Sequence, residues 1–103
     1  MTKRFHLYRN LKTGTEGEDV KKLQDWLNTV NLAYGFSERY PDGVPVNGKF
    51  QTFILSVFYH EYLNWSGYPV NHVYDNEIHQ YLCTDVNLAL QNLGDYGTTW
   101  AAN

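Results

Sequence analysis

Two segments of the chain repeat one pattern, and each stands just before a stretch with helical periodicity. Residues 43–50 read GVPVNGKF and residues 67–74 read GYPVNHVY, so Gly, Pro, Val, Asn and a closing aromatic residue recur at matching places. Gly permits unusual dihedrals, Pro fixes φ, and Asn can bond its own backbone, so each copy is typical of a turn that delivers the chain into a helix. We expect Val46 and Val70 to be buried at equivalent places. Two copies therefore predict two equivalent loop-to-helix junctions in one small fold.

Apolar residues at helical spacing predict three helices. The first is expected over about 16–31, the second over about 50–64, and the third from about residue 75. The run TDVNLALQNLG at 84–94 predicts either a fourth short helix or a bent continuation of the third. The predicted fold class is therefore mainly all-α, a small three-helix bundle.

The start of the first predicted helix is acidic. Thr15 and Glu18 have the spacing of a capping box, in which two side chains satisfy backbone N–H groups reciprocally. Asp19 stands in the same turn, where the positive end of the helix dipole stabilises a carboxylate. We expect Asp19 to satisfy helical N–H groups there, and the alternative is that it contacts a ligand.

The length and composition predict a single domain. A chain of 103 residues suffices for one modest core, and its hydrophobic fraction of 43% is ordinary for a globular protein. We expect this domain to cover residues 1–94. Residues 95–103 are small and polar apart from Tyr96 and Trp100, so they are expected to form a loosely held tail.

The charge and the termini restrict the partners and the location. A net charge of −3 with scattered Lys and Arg argues against nucleic acid or an anionic membrane as the main partner. No apolar run approaches the roughly 20 residues of a membrane span, and the N-terminus lacks a signal-peptide core. We therefore expect a soluble protein made in the cytoplasm without a signal peptide.

The lone Cys83 has apolar neighbours, which favours a buried structural thiol.

Three further stretches carry a family resemblance. LKTGTEGEDVKKLQDWL at 11–27 resembles the opening of the peptidoglycan-binding domain family, where Leu, Gly, Ser or Thr, Gly, Asp-Val and Leu-Gln lead into the first helix. VNGKF at 46–50 resembles the Val-Asp-Gly-x-Phe junction of that family, and VNHVYDNEIHQYL at 70–82 resembles a second, degenerate copy. The resemblance implies a helical module that binds the glycan or stem peptide of the bacterial cell wall, as the targeting part of a phage endolysin does, and acts there after release from the cell.

The chain departs from the pattern of that family at several positions. Asn47 stands at a usual Asp, Gln51 at a usual Gly and His72 at another usual Gly. These departures favour an alternative, a phage-encoded protein-interaction module that reuses the same fold as an inhibitor or structural component. Such a module would bind another protein or a second copy of itself.

The sequence lacks the patterns of known catalytic and metal sites. The histidines stand without an HExxH, HxH or CxxC partner pattern, so no zinc site is expected. Acid/base catalysis needs two carboxylates aimed at one place, whereas the carboxylates here stand in the first helix turn or singly in loops. We therefore predict a protein without enzymatic activity, cofactor or metal. The four histidines are His6, His60, His72 and His79.

The candidate binding residues lie in the loops that flank the second predicted helix. A groove for sugars or a short peptide needs exposed rings for stacking and amide or carboxylate groups for hydrogen bonds. Tyr40, Trp65 and Tyr68 are the strongest candidates, because they neighbour Pro or Gly turns. The alternative for Trp65 is that it caps the core end of the second helix. The candidate ligand-binding residues are Tyr34, Tyr40, Asp42, Asn47, Trp65, Tyr68, Asn71 and Tyr74, with Phe36 beside them.

Overall fold

Three α-helices are the main elements of the protein. The computed structural model describes residues 3–94 and 101–103. Helix α1 spans Glu18–Tyr34, α2 spans Leu55–Ser66 and α3 spans Asn76–Asn92. Two short strands, β1 (Lys3–Arg4) and β2 (Ala101–Ala102), pair in parallel. The predicted fold class, a mainly helical bundle of three helices, is confirmed, and no helix in the described part of the chain is long and apolar enough to cross a membrane.

Helix α1 begins without the predicted capping box. Its N-cap is Gly17, at φ 149°, and no side chain caps it. The hydroxyl of Thr15 instead accepts from a backbone N–H within its own loop, and Glu18 forms an ion pair with Lys21 at 3.3 Å. A Cβ at Gly17 would lie 2.8 Å from Oδ1 of Asp19. Glycine is therefore required there by both the positive φ and the close approach of this carboxylate.

The Asp19 carboxylate is buried at the start of α1 and paired with a residue outside the helix. Arg9 donates from Nε to Oδ2 at 2.7 Å and from Nη2 to Oδ1 at 3.0 Å. Oδ1 also accepts from the backbone N–H of Val20, as expected of a carboxylate in a first turn. The hydrogen bonds from Arg9 hold the pKa of Asp19 below its usual range, although burial opposes them. The pair ties the loop before α1 to the helix.

The two repeated segments form the same asparagine turn. Asn47 Oδ1 accepts from the backbone N–H of Lys49, and Asn71 Oδ1 accepts from the backbone N–H of Val73, each at 3.0 Å. An asparagine that bonds the backbone two residues on is the expected Asx turn. The repetition in sequence therefore corresponds to a repeated hydrogen bond.

The closing aromatic residue of each copy pairs through its backbone with the loop before α1. Phe50 donates its N–H to the carbonyl of Thr15 at 3.0 Å, and Tyr74 donates to the carbonyl of Leu11 at 2.7 Å. Both aromatic side chains are buried in the core. One loop thus serves both junctions.

The valines of the two segments do not enter the core, so that prediction is wrong. Val46 is 48% exposed and Val70 is 52% exposed. The side chains that plug the core at these junctions are Phe50 and Tyr74. An aromatic ring removes more apolar area from water than a valine does, so burying the ring is the more stabilising arrangement.

Helix α2 is shifted from its predicted bounds, and of the two alternatives for residues 84–94 the structure shows a continuation of the third helix. Helix α2 begins at Leu55 instead of residue 50, since the chain first makes a turn in which Ser56 donates its N–H to the carbonyl of Gln51 at 3.2 Å. Helix α3 runs without a break through Thr84, and no separate fourth helix forms there. The hydroxyl of Thr84 bonds the carbonyl of Gln80 at 3.3 Å, so it follows the helix instead of capping a new one.

The C-terminal residues 101–103 are held against α3 and the N-terminal segment, unlike the expected loose tail. Asn87 of α3 accepts from the N–H of Ala101 at 2.6 Å and donates to its carbonyl at 3.3 Å. Asn103 Oδ1 lies 3.0 Å from Nε2 of His79 and accepts from the N–H of Leu7 at 3.3 Å. The remainder of the expected tail, residues 95–100, lies outside the described residues.

Candidate functional site

The carboxyl ends of α1 and α2 bring two large rings together on the surface. Tyr34, the last residue of α1, stacks on Trp65 near the end of α2, with ring centroids 5.4 Å apart and planes 27° from parallel. The rings are 37% and 45% exposed. Phe36 lies behind them in the core, with its centroid 5.9 Å from that of Trp65. The result is a ring platform that is supported from below and open to a ligand from outside.

A second pair of stacked rings lies beside the platform. Tyr68, in the loop after α2, stacks on Tyr81 of α3 with centroids 4.6 Å apart. The buried Tyr62 connects the two pairs, because its ring centroid lies 6.4 Å from Trp65 and 5.9 Å from Tyr68. The exposed rings are therefore neighbours on one surface.

Helix α3 supplies the polar groups of this surface. The Asn92 amide donates to the hydroxyl of Tyr34 at 2.7 Å. One carboxylate oxygen of Asp85 accepts from the hydroxyls of both Tyr62 and Tyr68, at 2.6 and 2.9 Å. These hydrogen bonds hold the rings of Tyr34, Tyr62 and Tyr68 in one orientation.

One stripe of α3 links these groups. Tyr81, Asp85, Leu88 and Asn92 follow at spacings of four, three and four residues, which places them along one side of a helix. Leu88, 49% exposed, thus lies between Asp85 and Asn92. The combined surface, called the aromatic face below, comprises Tyr34, Trp65, Tyr68, Tyr81 and Leu88.

The phenol groups of Tyr62, Tyr68 and Tyr81 act as hydrogen-bond donors to carboxylates of α3. Burial, followed by the Asp85 carboxylate, raises the pKa of Tyr68 to about 12. The same two causes raise the pKa of Tyr62 well above its usual range. The hydrogen bond to Glu77 raises the pKa of Tyr81. The hydroxyls therefore keep their protons and donate to the carboxylates of α3.

Three of the predicted site residues meet on this face. Tyr34 ends α1, Trp65 lies near the end of α2 and Tyr68 lies in the loop after α2, so the packing of these elements brings the three residues together. Trp65 lies on the core residue Phe36 and is also exposed, so it both covers the core end of α2 and presents a ring to solvent.

Tyr40 lies elsewhere and has a structural environment. Its hydroxyl donates to the carbonyl of Phe53 at 2.5 Å, and its half-buried ring packs edge-on against Phe58 with centroids 6.3 Å apart. Asp42 is exposed beside a depression of about 140 Å³ that Asn28 and Leu32 also line. Neither residue belongs to the aromatic face.

The remaining predicted site residues hold the junctions together. Asn47 Oδ1 accepts from Gln24 Nε2 at 2.9 Å in addition to its turn. Asn71 donates to Asp75 at 3.0 Å, and Asp75 caps the start of α3. The prediction that Tyr74 contacts a ligand is wrong, because its side chain is fully buried and its hydroxyl is bonded to His79 Nδ1.

Sequence reasoning missed the contributions of α3 to the face. The sequence places Tyr81, Asp85, Leu88 and Asn92 in helical segments, whereas the predicted site residues flank the second helix. The available signal was the second stripe of α3, which carries an exposed tyrosine and leucine beside the buried stripe of Ile78, Leu82 and Val86.

The described residues contain no group of three or more His, Cys, Asp or Glu side chains that could hold a metal ion. His79 is buried with both ring nitrogens in hydrogen bonds, to Tyr74 and Asn103. His60 and His72 line a groove of about 250 Å³ with Glu61. That carboxylate already accepts hydrogen bonds from the loop at 37–39.

Burial raises the pKa of the Cys83 thiol, which opposes thiolate formation.

Comparison with known proteins gives no relative: no family model, no curated protein and no solved structure matches the chain.

Proposed function

We propose that this protein is a non-catalytic module that binds the peptidoglycan of the bacterial cell wall. The observation that carries the proposal is the aromatic face. There Tyr34 and Trp65 stack and are exposed to solvent, and hydrogen bonds hold the rings in place. Exposed and oriented rings are suited to stacking on the apolar faces of sugars.

The resemblance of residues 11–27 and 46–50 to the peptidoglycan-binding domain family is the second support. It favours the cell wall over other glycans as the ligand. It also favours a role as the targeting part of a phage endolysin, which would reach the wall after release and hold a hydrolase close to its substrate.

A sedimentation experiment with purified cell walls of several bacteria tests the proposal. The protein is expected to sediment with walls, and Trp65→Ala and Tyr34→Ala should each reduce the bound fraction several-fold. Phe53→Ala and Tyr8→Ala are matched controls, since both remove exposed rings outside the face, 76% and 69% exposed. Circular dichroism should show that every variant is folded.

The proposal fails if the parent does not sediment with any wall. It also fails if Trp65→Ala and Tyr34→Ala, both folded, are retained as well as the parent.

A protein-interaction module is the second candidate, and the exposed leucines favour it. Leu88 of the aromatic face and Leu93 just after α3 are 49% and 41% exposed. The buried centre of a protein interface is more apolar than the rest of the surface and is enriched in aromatic residues. This candidate is supported if the parent protein does not bind cell walls but forms a dimer in sedimentation velocity. The variant Leu88→Glu should then be a monomer.

A further inference from the structure

The part of the aromatic face around Tyr81 is acidic. Tyr68 and Tyr81 stack with their planes 22° from parallel, and each hydroxyl donates to a carboxylate. Tyr68 bonds Asp85 at 2.9 Å, and Tyr81 bonds Glu77 at 3.1 Å. The two stacked rings together with their two carboxylates, Asp85 and Glu77, are called the acidic tyrosine pair below. A tyrosine ring has a negative face that attracts cations, and a carboxylate at the hydroxyl increases that attraction.

Among the residues that the structure describes, neither Glu77 nor Asp85 forms an ion pair with a Lys or Arg side chain. Residues 51–94 contain four carboxylates and neither Lys nor Arg, because Lys49 is the last basic residue of either type. All ion pairs found among the described residues join side chains of residues 3–25. The Glu77 carboxylate raises the pKa of Tyr81, as a negative local field requires. A ligand with a positive group would therefore complement the charge here.

We infer that the acidic tyrosine pair binds the ammonium group of an unacetylated amino sugar within the wall glycan, an inference that rests on the proposed function. An amino sugar carries its amine directly on the pyranose ring. One sugar unit can therefore stack on the exposed ring of Tyr81 while its ammonium faces the Glu77 carboxylate. The Asp85 carboxylate adds negative charge further along the same helix, about 12 Å from Glu77. A flexible peptide amine offers no ring for the same stacking.

The position of the second ring pair suits a polymer. Tyr62 lies under both pairs, with centroids within 6.4 Å of Trp65 and 5.9 Å of Tyr68. Further sugars of the same glycan strand would then lie on the platform of Tyr34 and Trp65. The acidic tyrosine pair selects the charge state of the glycan, and the platform supplies stacking that does not depend on charge.

The test compares two soluble oligomers that differ only in acetylation. Isothermal titration in mildly acidic buffer measures binding of a glucosamine tetramer and of the corresponding N-acetylglucosamine tetramer. The parent should bind the glucosamine tetramer about tenfold more tightly, which corresponds to about 1.4 kcal/mol. Glu77→Gln and Asp85→Asn should each reduce this preference several-fold.

The control is Glu16→Gln, which removes one exposed carboxylate from the loop before α1 and should keep the preference. Glu77 is exposed, so its variant remains informative if Asp85→Asn perturbs the buried Tyr62. Equal or weaker binding of the glucosamine tetramer by the parent overturns the inference, as does a preference that survives in folded Glu77→Gln. Failure of the proposed function is seen separately, as absence of sedimentation with walls.

Discussion

Trp26 of α1 and His79 of α3 stack face to face, with ring centroids 5.2 Å apart and planes 2° from parallel. Phe5 meets both rings edge-on, at 5.1 and 4.6 Å, so the N-terminal segment closes this end of the core. His79 Nε2 faces the Asn103 oxygen and Nδ1 faces the Tyr74 hydroxyl. This arrangement suits a neutral imidazole with its proton on Nε2.

Acidification should therefore destabilise the protein through His79. Burial lowers the pKa of His79 below its usual value, although the hydrogen bond to Asn103 opposes the shift. A group with a depressed folded pKa binds protons more readily when unfolded, so its contribution to stability is present above the unfolded pKa and is lost as the pH falls from there through the folded pKa. Thermal unfolding of the parent should show this loss. His79→Gln should show a smaller pH dependence, whereas the exposed His60→Gln should behave as the parent does.

The Asp19 and Arg9 pair should contribute to stability and not to binding. Asp19→Ala removes a carboxylate that accepts from Arg9 and from the first turn of α1, and should cost about 1–2 kcal/mol. Arg9→Met should cost more than Asp19→Asn, because it leaves a buried carboxylate without its cation. Urea unfolding measures both effects. Wall retention by folded Asp19→Ala should equal that of the parent, and a specific loss would make Asp19 a site residue.

The two junctions should respond alike to mutation. Phe50→Ala should lower the free energy of unfolding by about 3–5 kcal/mol, and Tyr74→Ala by a comparable amount, because each removes a buried ring. Val46→Ala and Val70→Ala should change it by less than about 0.5 kcal/mol. Urea unfolding of the four variants provides the comparison. A large effect of either valine would contradict the exposed positions described above.

Tyr40→Phe separates the structural tyrosine from the binding ones. Loss of the hydrogen bond to the carbonyl of Phe53 should lower the free energy of unfolding by about 1 kcal/mol. Wall retention should not change, in contrast to Trp65→Ala. A folded Tyr40→Phe or Tyr40→Ala variant with reduced retention would extend the binding site to this second loop.

Binding by one module should be weak and should increase with valency. A shallow face of this kind is expected to bind a soluble wall fragment with Kd of about 1 μM to 1 mM, or about 4 to 8 kcal/mol. A tandem dimer joined by a flexible linker should be retained on walls at least about a hundredfold better. Equal retention of monomer and tandem dimer would show that only one module of the dimer engages the wall.

The sequence by itself determined the three helices and the two junctions. Helical spacing of apolar residues and the turn chemistry of Gly, Pro and Asn act within a few residues, so a local pattern suffices to predict them. The same local patterns failed where two solutions compete. Thr84 could cap a new helix or continue an old one, and Val46 could be buried in place of Phe50. Packing decided both.

Only the tertiary structure decided the candidate site. Tyr34, Trp65 and Tyr68 were among the predicted residues, but so were Tyr74 in the core and Tyr40 in its own loop. An exposed ring and a buried one have the same sequence signature, because an aromatic side chain stabilises both a core and a binding surface. Asp85 and Asn92 joined the site through hydrogen bonds to Tyr68 and Tyr34 across 17 and 58 residues of sequence. Contacts over such separations depend on how the helices pack, and no local pattern encodes them.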